Sequence, residues 1–143
     1  MIKEINIGCA STNTSYGRRL DTTLVELKSK ANMSALFTSN KFKSAPVQVC
    51  LNHIKTKKKG RKILAINAGN ANAATGKKGI SDTKKLAKEI SNLSGVPISH
   101  ILPFSTGVVG QLLNMKSLSL AFNECFKNLN KNSWNDFATS IMT

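Results

Sequence analysis

Apolar and polar residues alternate at Ile5, Ile7 and Cys9, and again through 24–27, the two-residue period of strands with one buried face. The first third is therefore expected to be sheet, with the turn-rich run STNTSYGRRLD (11–21) as a connection. Further strands are expected at 36–38 and 47–51. Pro46 has no N–H for a ladder, so it marks an edge or the start of the second. KILAIN (62–67) is a short, nearly continuous apolar run, which predicts a strand covered on both faces. It feeds directly into NAGNANAATGKKG, a loop at that strand's C-terminal end. Ser81 and Asp82 can cap a helix that aligns Leu86, Ile90 and Leu93 on one face and that Gly95 and Pro97 terminate. A short strand at 101–104 leads into STGVVG. Asn114 can cap a second helix, striped by Met115, Leu118, Phe122, Phe126 and Leu129, and 134–142 reads as a short third one. With no internal repeat, linker or domain boundary, this mixture indicates helices packed on a sheet, an α+β chain.

Composition narrows that picture. The 143 residues, 41% of them hydrophobic, suffice for one domain with its own core. No stretch approaches the roughly 18 consecutive apolar residues of a membrane span, and MIKEINIG lacks the apolar segment of a secretory signal, so a cytoplasmic protein with no membrane partner is expected. Cys9, Cys50 and Cys125 are odd in number, widely separated and without C-x-x-C spacing, which favours buried free thiols over a disulfide or zinc site.

The net charge of +14 invites a nucleic-acid reading, but its makeup weakens it: only Arg18, Arg19 and Arg61 among the 21 basic residues carry the planar guanidinium suited to bidentate phosphate and base recognition. The densest run, KTKKKGRK (55–62), contains no aromatic side chain for a base to stack on, and reads as a hairpin or crossover loop. A basic module that binds polyanions through Lys55–Lys62 and Lys77/Lys78 stays open as the alternative.

Two segments could carry chemistry. The loop 67–76 lies between a strand and a helix, where backbone amides can cradle an anion. It does not fit a phosphate loop: six residues rather than four separate Gly69 from Gly76, and Lys77 is followed by Lys78 instead of a hydroxyl. Its asparagines Asn67, Asn70 and Asn72 equally suit a tight, self-capped loop. In STGVVG (105–110), Thr106 offers a hydroxyl and Gly107 an unshielded N–H, a pair able to bind a developing oxyanion, although a plain strand-to-helix turn would look the same. His53 and His100 fall at expected strand margins without obvious partners, as surface or boundary residues. No serine or cysteine sits in a G-x-S-x-G elbow, and two histidines without a spaced carboxylate make no metal cluster.

These motifs together resemble the ornithine/glutamate N-acetyltransferases of arginine biosynthesis. The family's N-(S/A)-G-N-A-N-A-C-T-G run is similar to Asn67 through Gly76, and its S-T-G-V-I-G to Ser105 through Gly110. Weaker similarities are the GRRLDTTLVEL opening (17–27), F-T-x-N…A-A-P-V at 37–47, and W…A-x-x-I-M-T-T-D at 134–143. Ala74 stands where the family commonly has cysteine, and Val109 replaces isoleucine. The resemblance covers nearly the whole chain, as the N-terminal, α-chain part of one domain (1–143), stopping at Thr143 inside the T-T-D run.

Several expectations follow from it. The fold would be the N-terminal part of the layered α/β sandwich shared by DmpA-like and ornithine acetyltransferase enzymes. Thr106 and Gly107 would form the oxyanion hole, Thr143 would contact substrate, and Asn67, Gly69, Asn70, Asn72 and Gly76 would belong to a supporting loop. The reaction implied moves acetyl from N-acetylornithine to glutamate through an acetyl-threonine. Its nucleophile lies beyond Thr143, on a β chain cut from the same precursor, in an α2β2 assembly, so this chain alone is expected to be inactive. No cofactor, metal or nucleic acid is implied, and acetyl-CoA is a co-substrate only of bifunctional members.

Overall fold

The computed structural model describes residues 4–14, 19–55, 59–130 and 133–142. Four strands form one sheet in the order β1 (Ile5–Ala10), β2 (Thr22–Leu27), β3 (Lys62–Asn67) and β4 (Ile101–Ser105). β1 and β3 run antiparallel to β2, while β3 and β4 are parallel. A parallel pair requires a crossover. Helix α2 (Gly76–Ser94) provides it, so the loops after β3 and β4 emerge at the same end of the sheet.

The two-residue period of the strands sorts the side chains of β1, β2 and β3 onto two faces. Leu24, Ile63, Ala65 and Ile101 pack with Leu86, Ala87 and Ile90 of α2 and with Leu118, Ala121, Phe122 and Cys125 of α3 (Met115–Lys127). This is the main core. Ile7, Cys9 and Val25 point the other way and gather Leu64, Ile66 and Phe137, the last from α4 (Trp134–Ser140). Where α3 crosses β1 the backbones nearly touch: a Cβ on Gly8 would lie 1.9 Å from the Cys125 carbonyl oxygen, so only glycine fits.

Three expectations are corrected. The segment 47–51 is helical, within α1 (Ala45–Ile54). Its buried residues Ala45, Pro46, Val49 and Cys50 follow a helical period, and Pro46 sits in the first turn, where no N–H is required. Residues 36–38 form no strand, and Leu36 is fully exposed. Helix α2 begins at Gly76, before the expected caps Ser81 and Asp82. Its buried stripe continues backward through small and polar residues, Thr83 and Gly79, which hydrophobicity alone does not reveal. Asp82 is thus an interior residue, ion-paired to Lys78 one turn earlier. The Asn114 cap of α3 forms as expected, its side chain accepting from Ser117 N–H at 3.2 Å.

Helix α1 shields β4. Cys50 Sγ donates to the Pro103 carbonyl at 3.1 Å, and His53 Nδ1 donates to that of Ile101 at 2.7 Å, while Pro103 has no N–H to offer. A helix and a proline thereby blunt a strand edge open to further pairing. His53 accordingly belongs to α1 and not to a strand margin. His100, at the end of a 3-10 turn (Ile98–His100), is buried, with Nδ1 2.9 Å from the Arg61 carbonyl.

The three cysteines are free and buried, as expected. Burial pushes the Cys50 thiol up to about 12 from its ordinary 9.0 and raises those of Cys125 and Cys9 as well. Thiolates are the reactive form. The folded chain should therefore resist a disulfide-exchange reagent at mildly alkaline pH and react once urea unfolds it. Below pH 9 folded and unfolded chains both keep the Cys50 proton. Above it the unfolded chain loses the proton first, so stability in urea should fall as pH rises from 9.0 toward about 12. Full thiol reactivity in the folded chain would contradict this.

Candidate active site

The loops that leave β3 and β4 dock on one another. Asn67, the last residue of β3, is buried, with its side chain on the helix-covered face. Its Nδ2 donates to the Asn70 carbonyl at 2.8 Å, and its Oδ1 accepts from Ser105 Oγ at 2.6 Å. Its main-chain carbonyl accepts from Thr106 N–H at 3.0 Å. One asparagine thus ties the end of β3 to its own loop and to the end of β4.

Past the strands the pairing continues through Val108 N–H to the Gly69 carbonyl (3.1 Å), Ala71 N–H to that of Val108 (2.9 Å) and Gly110 N–H to that of Ala73 (2.9 Å). Gly69 has φ +90° and Gly107 φ +124°. A Cβ on Gly107 would lie 2.3 Å from the Gly69 carbonyl carbon and 2.7 Å from Asn70 N, so a close backbone approach as well as the dihedral demands glycine. Asn70 extends the junction, Nδ2 donating to the carbonyls of Gln111 and Leu112, each at 3.2 Å.

The remaining loop residues anchor helices. Asn72 is fully buried with φ +45°. Its Nδ2 donates to Thr83 Oγ1 (2.7 Å) and to the Gly79 carbonyl (3.3 Å), its Oδ1 accepts from Thr75 Oγ1 (2.8 Å), and its carbonyl receives Ala45 N–H from α1 (3.2 Å). Gly79 lies directly beneath, where a Cβ would stand 2.5 Å from Asn72 Oδ1. Gly76, with φ +59°, starts α2. The amides of Ala71 and Asn72 are already spent, the former on the Val108 carbonyl of the facing loop and the latter on Asn70 Oδ1 at 2.8 Å, so this segment is built as a bonded support and not as an open anion cradle.

Thr106 and Gly107 are brought together at the exposed tip of this junction. The amides of Thr106 and Val108 are used in the pairing with 67–71. The Thr106 hydroxyl and Gly107 N–H make no hydrogen bond among the described residues. Two adjacent donors on a backbone fixed from both sides are what an oxyanion site needs, since stabilisation comes from donors that need not reorganise. Thr143, expected to contact substrate, lies outside the described residues.

A cavity of about 220 Å³ adjoins the junction, lined by Asn67, Gly69, Asn70, Thr12, Asp21 and Asn114 among others. Asp21 was missed from sequence because it sits in a run of turn formers; an acidic residue immediately before the TTLVEL strand, in a chain with only seven, is the available signal. It is buried and accepts from Thr12 N–H (2.8 Å), the Thr12 hydroxyl and the Thr22 hydroxyl (3.0 Å), while its carbonyl receives Ala68 N–H (2.7 Å). Asp21 therefore fixes the cavity wall. Among the described residues no group of three His, Cys, Asp or Glu side chains could hold a metal ion, and no helix is long and apolar enough to cross a membrane.

The fold is that of the ornithine acetyltransferases. The structure matches that of the ornithine acetyltransferase of Mycobacterium tuberculosis, solved with ornithine, at a TM-score of 0.88 and 25% identity, covering 99% of this chain and 76% of that one. It also matches the arginine biosynthesis bifunctional protein ArgJ of Bacillus halodurans at 0.83 and 24%, covering 99% and 73%. Residues 6–143 match the model of the ArgJ family, and the chain belongs to that family. It is 34% identical to the ArgJ protein of Colwellia psychrerythraea and 33% identical to that of Methylococcus capsulatus, in each case over 99% of this chain. It spans 36% and 34% of their lengths, about a third.

The two loop glycines separate steric from dihedral demands. Gly107 and Gly110 both have positive φ, but a Cβ at Gly110 meets nothing within 4 Å. Gly107→Ala should lower stability by about 1–3 kcal/mol more than Gly110→Ala in urea denaturation, the usual cost of overpacking. Equal losses would show that the two loops do not press together.

Proposed function

We propose that these 143 residues are the N-terminal, α-chain part of an ornithine/glutamate N-acetyltransferase, and that Thr106 Oγ1 and Gly107 N–H are its oxyanion donors. The observation that carries this reading is the pair of free donors on the interlocked loops, in a chain of the ArgJ family. The threonine nucleophile belongs to a β chain cut from the same precursor. Its hydroxyl attacks the acetyl carbonyl of N-acetylornithine, and the carbonyl oxygen gains negative charge as the tetrahedral intermediate forms. Thr106 and Gly107 donate to that oxygen. The C–N bond then breaks and ornithine departs with the proton the hydroxyl gave up, leaving acetyl on the threonine; when the glutamate amine attacks, the same two donors serve again, and the ester C–O bond breaks to free the threonine, which takes back a proton from that amine.

Asn67, Gly69, Asn70, Asn72 and Gly76 act by holding the donors and the adjoining helices in place, and Thr143 contacts substrate. Complete α2β2 assemblies would be needed for turnover, with acetyl-CoA as a second donor in bifunctional members. The 143 residues by themselves would transfer no acetyl. The polyanion alternative gains no support from two of its cations: Arg61 is held by Glu26 and the Ser94 carbonyl, and Lys78 by Asp82.

In the complete protein, Thr106→Ala should lower kcat by about 10²–10³, the usual loss for one oxyanion donor, with KM for N-acetylornithine little changed. Steady-state kinetics checks this, and an unchanged kcat would remove Thr106 from the reaction. The 143-residue chain assayed alone should give no acetylglutamate; turnover by it would overturn the division of labour proposed.

A further inference from the structure

Helix α4, only seven residues long, packs on β1 and β2 from the face of the sheet opposite α2 and α3. It turns Phe137 and Ser140 toward the strands, three positions apart and so on one side of the helix. Phe137 joins Ile7, Cys9 and Val25 in an apolar contact, which has no preferred direction and leaves a short helix free to slide. Ser140 makes the directed contact. It is 1% exposed and meets the fully buried Thr23 of β2, with Ser140 Oγ and Thr23 Oγ1 2.5 Å apart. Cys9, directly opposite Thr23 on β1, brings its Sγ to 3.3 Å from the same Thr23 Oγ1.

Each hydroxyl has one proton to give, and that fixes the direction of these bonds. Ser140 donates to the Phe137 carbonyl at 2.8 Å, so its oxygen accepts from Thr23. Thr23 has then spent its own proton and accepts from the Cys9 thiol, which burial keeps protonated. The run from Cys9 through Thr23 and Ser140 to the Phe137 carbonyl leaves none of these protons unmatched, and it joins the sheet to the last turn of α4 across 117 positions of sequence. Polar groups in an apolar layer add little net stability, since apolar groups of the same shape serve nearly as well. Sliding α4 by one residue, however, would leave buried hydroxyls unpaired. The bonds therefore set where α4 ends. Beyond Ser140 the chain has no comparable anchor among the described residues: Ile141 and Met142 are exposed, and their N–H groups turn back to the Thr139 carbonyl.

We propose that Thr23 is a positioning residue for substrate binding: through Ser140 it sets the end of α4, and with it the approach to substrate of Thr143, three residues further on. This rests on the reading that Thr143 contacts substrate, and it is independent of Thr106 and Gly107.

The test is steady-state kinetics of the complete protein with N-acetylornithine. Thr23→Val keeps the shape of threonine without its hydroxyl, and should raise KM about three- to tenfold, the usual worth of one hydrogen bond, with kcat little changed. A rise in KM at constant kcat is a loss of binding, the opposite of the signature expected of Thr106→Ala. Thr23→Ser keeps the hydroxyl and should give the parent KM. A merely structural role would instead reduce the folded fraction, which lowers apparent kcat without moving KM. Thr143→Ala should raise KM at least as much, and adding Thr23→Val to it should raise KM no further, because the two act in series. If Thr143→Ala raises KM but Thr23→Val does not, or if the double variant shows two independent increases, the positioning role is overturned while the reading of Thr143 stands. An unchanged KM for Thr143→Ala overturns that reading and this inference together. Should Thr23→Val not fold, Ser140→Ala breaks the same bond from the other side and carries the same expectations.

Discussion

The side-chain amide of Asn67 is the interaction on which the rest of the candidate site depends. Parallel strands deliver their following loops to the same end of a sheet but do not themselves join those loops. Asn67 joins them, donating to Asn70 within its own loop and accepting from Ser105 at the end of β4. The glycines complete the fit, because Gly107 lies so close to Gly69 that no side chain could stand between them. A buried amide with both ends bonded is worth more as geometry than as net stability: a typical hydrogen bond contributes only about 0.5–1.5 kcal/mol, but leaving one partner buried and unpaired costs about 1–3 kcal/mol. Any arrangement that separates the loops while Asn67 stays buried incurs that penalty at its Oδ1, where the bond from Ser105 is lost.

From this junction order spreads outward. Asn72 fastens the loop to α2 through Gly79 and Thr83 and to α1 through Ala45. Helix α1 in turn covers the free edge of β4, so the strand carrying Ser105 is held from both sides. The consequence for chemistry is that Thr106 and Gly107 sit at a tip whose backbone is fixed from beneath, while the hydroxyl and one amide remain unspent. Basic charge contributes little at this end of the molecule. Where it gathers around a cavity, it does so at the opposite end of the sheet, through Lys30, Lys59 and Lys62.

Much of the sheet, and the two loops that make up the candidate site, were legible in the sequence, for reasons that also explain the failures. The alternation at Ile5, Ile7 and Cys9, the apolar run KILAIN and the stripe of α3 report burial directly, and burial is what built those elements. Segment 47–51 misled because Val47 and Val49 favour strands, whereas tertiary packing on β4 and the helix-compatible Pro46 decided for α1. The first turns of α2 were hidden because Gly79 and Thr83 are buried through close packing and hydrogen bonding. Thr106 and Gly107 were readable as a pair of donors, and the asparagines as turn residues. That Asn67 reaches across to Ser105 was not readable, because it depends on a strand pairing between positions 38 residues apart.

The central claim is that the paired loops hold Thr106 and Gly107 ready to receive an oxyanion. It is tested most directly by a crystal structure of the complete protein with a tetrahedral analogue of the acetyl-transfer intermediate. The account predicts that the analogue's charged oxygen lies about 2.7–3.1 Å from both Thr106 Oγ1 and Gly107 N, the spacing of an oxyanion hole. An oxygen bound by other groups, with these two donors still facing solvent, would contradict it.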